Sequence, residues 1–259
     1  MSSLHITLLQ SPLHWENPEA NLNMFTQKIE SLPGKKELVI LPEMFNTGFS
    51  LAPDRLAETM DGPTVQWMRD MSIKHRIILT GSLIIRDDEH AYNRLVWMQP
   101  NGQCGTYDKR HLFSYGGENE GFSAGSKRLI AQANGMRICT NICYDLRFPV
   151  WNRQTNPDEY DVLLYVANWP EKRIHAWKTL LQARAIENQC YVLGINRTGT
   201  DGNGHQYCGE SSIIGPLGEG LLSSTQEHDI LQWELERKII QDIRQQLPFQ
   251  QDKDGFILS

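Results

Sequence analysis

One short run constrains this chain more than any other: residues 161–167, DVLLYVA, apolar at nearly every position. Seven residues are too few to cross a bilayer, and the run is rich in strand formers. A strand with no polar face is buried on both sides, as in the centre of a parallel sheet covered by other layers. That points to a layered α/β fold, and the rest of the chain keeps the same rhythm. Residues 5–9 read as a first strand. Residues 17–31 carry helical spacing (Leu22, Phe25, Ile29), with Asn17–Pro18 as cap and first turn. Strand-like stretches follow at 37–41 and 76–85, separated by a helix at 64–75. Strands at 91–99 and 102–107 flank Pro100–Asn101–Gly102, a hairpin signal. In the second half, a strand at 136–142 feeds a sharp segment at 143–149. A helix at 175–189 and a strand at 191–195 follow the apolar run. Residues 207–214 and 219–223 read as a hairpin around 215–218. Residues 230–246 read as a late helical stretch, broken near its start. No repeat, low-complexity tract or Pro/Gly/Ser linker interrupts the 259 residues, so a single domain over 1–259 is expected.

Charge narrows the partners. The formal net charge is −6 and no long basic run occurs, so no nucleic-acid partner is expected. No apolar stretch spans a membrane, so no membrane partner is expected, and MSSLHITLLQ lacks the basic start and cleavage site of a secretory signal. Five cysteines (Cys104, Cys139, Cys143, Cys190, Cys208) are an odd number in a chain of this size. A disulfide scaffold is disfavoured and a reducing, cytoplasmic setting is expected.

Three reactive side chains sit at strand ends: Glu43 in LPEMF, Lys109 in YDKRHLF and Cys143 in NICYDLRFP. Each alone has a plain reading: a solvated loop acid, a surface lysine, a packed thiol. Together they supply what thiol chemistry needs: a base for the proton, a cation that lowers the thiol pKa, and a donor for an oxyanion. Competing sets are weaker. The eight histidines show no H-E-x-x-H pattern, and Cys139 and Cys143 do not make a zinc site, so no metal is expected. The glycine-rich stretch 199–204 does not open a helix after a strand and reads as a turn. No G-K-[ST] phosphate loop occurs.

In this order and with these neighbours, Glu43, Lys109 and Cys143 resemble the nitrilase superfamily of carbon–nitrogen hydrolases. CYDLRFPVW, ANWP (167–170) and LLQARAIENQCYVLGINRTG (180–199) are similar to its amidase branch, above all the omega-amidases and their bacterial relatives. The resemblance covers almost the whole chain. It implies a four-layer α-β-β-α sandwich and a homodimer. It matches Glu43 to the family's general base, Lys109 to its lysine and Cys143 to its nucleophile. It also matches Glu118 to the second glutamate, with Glu120 as the alternative.

The expected chemistry is attack of Cys143 on a small amide, with Glu43 moving protons and no cofactor. Lys109 and the backbone N–H of Tyr144 would hold the oxyanion. For that thiol to react, the site must lower Cys143 through Lys109, raise Glu43, or both. If the substrate is the monoamide of a short dicarboxylic acid, such as 2-oxoglutaramate or 2-oxosuccinamate, an arginine should hold its free carboxylate. Arg173 is the preferred residue, Arg147 being read as a structural ion-pair partner in its turn. Asn168, Trp169 and Phe45 are the expected pocket residues. The alternatives are nitrile or N-carbamoyl hydrolysis by the same residues, or a non-catalytic binding protein or thiol sensor.

Overall fold

The computed structural model describes residues 2–156, 159–225 and 229–257. The first sheet holds β1 (Ser3–Gln10), β2 (Leu38–Ile40), β3 (Ile78–Asp87), β4 (His90–Met98) and β5 (Cys104–Asp108). The second holds β6 (Ile130–Ala133), β7 (Met136–Ile142), β8 (Val162–Val166) and β9 (Tyr191–Ile195). After a two-stranded ribbon, β10 (Thr198–Thr200) and β11 (Gln206–Cys208), it adds β12 (Ser211–Ile214) and β13 (Gly220–Ser224). The chain then returns to the first sheet as β14 (Asp229–Glu236). The spatial orders are 14-1-2-3-4-5 and 13-12-9-8-7-6. Each sheet has three parallel central strands, β1–β2–β3 and β7–β8–β9, extended by antiparallel neighbours.

Alternation along the strands builds the layers. Leu38, Ile40, Val162, Leu164 and Val166 join one core that draws on both sheets, so the sheets pack face to face. Val39 and Leu41 turn the other way, against Phe25 and Ile29 of α1 (Pro18–Ser31) and Val65 and Met68 of α3 (Pro63–His75); α2 (Pro53–Leu56) lies between these helices in sequence. Leu163 and Tyr165 face Trp177, Leu181 and Ala185 of the long helix Ile174–Asn188. The result is the expected four-layer sandwich. The run 161–167 is its buried centre: Asp161 is 2% exposed, and Val162 through Ala167 are fully buried.

Local chemistry accounts for most boundaries. Asn17 caps α1 by accepting from the Ala20 N–H at 3.1 Å, with Pro18 in the first turn. Helix α3 stops at Arg76, whose φ of 54° places it in the left-handed region, so the next strand starts at Ile78, not at residue 76. The expected strand 207–214 is split at Gly209 and Glu210, both with positive φ. The late helical reading needs correction. Residues 229–236 are β14, paired antiparallel to β1 along its whole length, and the helix covers Arg237–Gln246 alone. Leu231 and Leu235 are buried on one face of β14, a spacing that suits a helix as well as a strand.

Candidate active site

The parallel strands of both sheets end at one place. Glu43 follows β2, and Cys143 and Asn168 follow β7 and β8, where α/β sheets present their functional loops. Lys109 follows β5 directly. The Glu43 turn is pinned to β3, with Leu41 N–H donating to Thr80 O at 2.8 Å and Met44 N–H to Ser82 Oγ at 2.9 Å. Lys109 is held through its backbone: its N–H donates to Asn93 O at 3.0 Å, and its carbonyl accepts from Gly125 N–H at 2.9 Å.

Cys143 opens a short 3-10 turn, Cys143–Arg147, with a φ of 42°. A non-glycine residue in that region carries strain of about 1–3 kcal/mol and needs surrounding structure to hold it. Asp145 supplies this. Its buried carboxylate accepts from Ile142 N–H (3.0 Å), Tyr107 OH (2.7 Å) and His111 N–H (3.0 Å), and lies 2.8 Å from His111 Nδ1. The first N–H groups of a helical turn have no partner within it, and the Tyr144 N–H is one of these.

Lys109, Glu43 and Glu118 form one buried charged cluster. Lys109 Nζ donates to Glu43 Oε1 at 2.9 Å and to both oxygens of Glu118 at 3.0 and 2.8 Å. Phe113 N–H adds a 2.6 Å bond to Glu118 Oε2. This favours Glu118 over Glu120, which is exposed. Glu43 Oε2 accepts from Asn168 N–H at 2.7 Å, and Asn168 Nδ2 donates to Glu43 O at 2.6 Å, tying the two sheets together here. The Cys143 Sγ lies 3.9 Å from Asn168 O, on the residue whose N–H holds Glu43.

Burial works against the Lys109 charge, but Glu118 and Glu43 override it and hold the lysine well above its usual range. Burial pushes Glu118 up, Lys109 opposes this, and Glu43 adds to it. Burial and then Glu43 push the Cys143 thiol well above its ordinary range; Lys109 pulls it down but is outweighed. At the thiol, Lys109 therefore does not offset burial and Glu43.

A cavity of about 130 Å³ opens above this cluster, with Lys109, Cys143, Tyr144, Asn168 and Trp169 in its wall. On a water-sized scale that is room for about ten small groups, which limits the ligand to a small molecule. Arg147 and Arg173 also line it. Arg147 lies over the Trp169 ring at 4.9 Å and Arg173 over Phe113 at 5.1 Å. Neither has a carboxylate partner among the described residues, so the ion-pair reading of Arg147 is corrected. Phe45 is also corrected. It is fully buried in the outer core against Phe25 and Trp67, because the turn after Glu43 points it back under β3; Phe49 lines the cavity instead.

A family model described as carbon–nitrogen hydrolase matches residues 5–245. The chain belongs to that family. This carbon–nitrogen hydrolase is 43% identical to the omega-amidase YafV of Yersinia enterocolitica over 100% of both chains. It is 34% identical to the 2-oxoglutaramate amidase of Bacillus subtilis (strain 168), over 94% of this chain and 95% of that one. Its structure matches a CN-hydrolase superfamily protein of Xanthomonas campestris with a TM-score of 0.96 at 41% identity, over 100% of both chains; that crystal structure carries an arsenic adduct in its active site. Nit3 of Saccharomyces cerevisiae, from branch 10 of the nitrilase superfamily, shares the fold with a TM-score of 0.82 at 24% identity, over 95% of both chains. The chain is thus a hydrolase acting on carbon–nitrogen bonds, and its fold is the nitrilase-type sandwich.

Sequence reasoning missed three residues of this carbon–nitrogen hydrolase. Asn93, inside β4, meets both Glu43 and Glu118. Asp145 anchors the Cys143 turn. Asp201, in the glycine-rich turn, lines the cavity and accepts from Tyr207 OH at 2.8 Å. A polar residue inside an apolar strand was the signal available for Asn93.

Proposed function

We propose that the chain hydrolyses the omega-amide of a small dicarboxylic acid monoamide, of the 2-oxoglutaramate or 2-oxosuccinamate type, through a thioester on Cys143. The observation that carries this reading is the buried Glu43–Lys109–Glu118 cluster beneath a thiol at the floor of a small cavity. The names of the relatives and the two arginines without acidic partners support the choice of substrate.

Burial and Glu43 push the thiol up, which favours proton transfer and attack in one step. Glu43 takes the thiol proton as the C–S bond forms. The oxyanion sits between Lys109 Nζ and the Tyr144 N–H. Glu43 returns the proton to the leaving nitrogen as the C–N bond breaks, giving ammonia and a thioester. Water attacks the thioester, Glu43 accepts its proton, and collapse of the second tetrahedral species breaks the C–S bond and restores the thiol. Glu118 holds Lys109 in place through both oxygens. The sum is amide plus water to acid plus ammonia. Arg173, with Arg147 beside the same cavity, receives the substrate carboxylate.

Ammonia release from short dicarboxylate monoamides, glutamine, nitriles and carbamoyl amino acids tests this. The Cys143→Ala enzyme should be inactive, and mass spectrometry of wild type with a slow amide should find an acyl group on Cys143. Wild-type turnover by the alanine enzyme would end the proposal.

A further inference from the structure

Asn93 touches three of the four side-chain-bearing residues in the proposed machinery. It is fully buried in β4, opposite Ile84 of β3. Its carbonyl accepts the Lys109 N–H at 3.0 Å. Its Nδ2 donates to Glu43 Oε1 at 2.8 Å and to Glu118 Oε1 at 3.1 Å. An amide nitrogen carries two hydrogens, and here both are spent, one on each carboxylate. Its Oδ1 is buried and has no hydrogen-bond partner among the described residues. A strand interior does not keep such an atom without compensation, since an unmet buried acceptor costs stability.

The compensation lies in what the donors do. Glu43 and Glu118 are acidic groups in one buried site, and both Lys109 and the Asn93 amide stand between them. Lys109 bonds one oxygen of Glu43 and both of Glu118, and the Asn168 N–H holds the other Glu43 oxygen. Asn93 adds a second donor to Glu43 Oε1 and, through the same nitrogen, fixes the spacing of that carboxylate from Glu118. With Oε1 occupied by Lys109 and Asn93, Oε2 is the oxygen that takes the Asn168 N–H and keeps a lone pair to spare. Aspartate is the closest shape to Asn93 but presents acceptors to two acceptors, and serine has one hydrogen for two carboxylates.

We propose that Asn93 is a positioning residue: its amide aims Oε2 of Glu43 at Cys143 and keeps Glu43 and Glu118 apart. This rests on the reading of Cys143 and Glu43 given above. The charged and titratable groups facing the Glu43 carboxylate are Lys109, Glu118 and Cys143.

The test uses Asn93→Asp and Asn93→Ser in the full chain. Two readouts are followed across pH: ammonia release, and the rate at which iodoacetamide alkylates Cys143. Each variant should lose about tenfold or more in kcat with KM little changed, because the contact is to the base and not to the substrate. In Asn93→Asp the acid limb of both profiles should move to higher pH, since a third carboxylate favours the protonated forms of the other two. Thermal melting is recorded alongside. A variant that melts like wild type and keeps wild-type kcat with an unmoved acid limb overturns the proposal. A loss of kcat with no change in either pH profile also overturns it, since that marks a structural role only. The Asn93→Ser enzyme keeps the question open to measurement if the aspartate enzyme fails to fold. Wild-type enzyme that is neither alkylated at Cys143 nor active on any amide would instead refute the underlying reading of the site.

Discussion

Lys109 is a cation shared by two buried carboxylates, and that sets what its loss would do. Lys109→Met should abolish ammonia release and destabilise the fold by about 3–5 kcal/mol, because it strands buried charge. The pH dependence has a definite sign. Burial already raises the pKa of Glu118, and removing the lysine removes what restrains it. A carboxylate whose folded pKa exceeds its unfolded value favours folding at low pH. That contribution is present below the unfolded value of about 4.3 and is lost as pH rises through the raised folded one. The variant should therefore melt at a higher temperature near about pH 5 than near about pH 8; a melting temperature that rises with pH would contradict this account. The two arginines make a separate prediction. Each lies on an aromatic face in the cavity wall with no carboxylate partner among the described residues, so each is available to a substrate anion. Arg173→Met and Arg147→Met should each raise KM for a carboxylate-bearing amide by about tenfold or more, and change KM for a neutral amide little. Equal effects on both amides would remove that arginine from the substrate site.

Among the elements, the ends of β5 and β7 matter most, because Lys109 and Cys143 are the next residues after them. The segment after Lys109 passes so close that a Cβ on Gly125 would lie 2.1 Å from Asp108 O, a backbone atom that cannot rotate away. Gly125→Ala should push the end of β5 and carry Lys109 with it. A displacement near an ångström costs about a hundredfold in rate, so kcat should fall by roughly ten- to a hundredfold while circular dichroism stays native. Unchanged kcat would show that the chain gives way elsewhere. These strand ends also show what was legible in the sequence and what was not. Glu43 and Cys143 stand out because each breaks an apolar pattern where a strand stops, and Lys109 because it follows a strand end in the same way. The central strands were legible for the same reason: a run like 161–167 has few alternatives. β14 was misread because Leu231 and Leu235 are four residues apart, and pairing with β1 overrides that local preference. Phe45 was misplaced because proximity to Glu43 in sequence does not say which way the turn rotates. Asn93 and Asp145 were invisible because their partners are long-range: Asn93 meets Glu43 from 50 residues away and Asp145 meets Tyr107 from 38.

At the scale of the whole molecule, the site exists because two sheets are held in register. Glu43 and Lys109 come from the first sheet, Cys143 and Asn168 from the second, and the Glu43–Asn168 bonds cross between them. The core between the sheets should therefore matter to catalysis in a way the outer cores do not. Strand β8 offers a matched comparison. Leu163 and Leu164 are adjacent and fully buried, but Leu164 packs between the sheets and Leu163 packs outward against the long helix Ile174–Asn188. Truncating either to alanine should cost about 2–5 kcal/mol of stability. The consequences for rate should differ. A space left by Leu164→Ala lets the two sheets shift against each other, which changes the distance from the Cys143 sulfur to Glu43. A space left by Leu163→Ala loosens the helix and leaves that distance alone. Measured well below both melting temperatures, kcat should fall several-fold more for Leu164→Ala than for Leu163→Ala, about as a sub-ångström misplacement of the reacting groups allows. Equal rates in the two variants would mean that the hydrogen bonds around Glu43 align the sheets without help from the core between them.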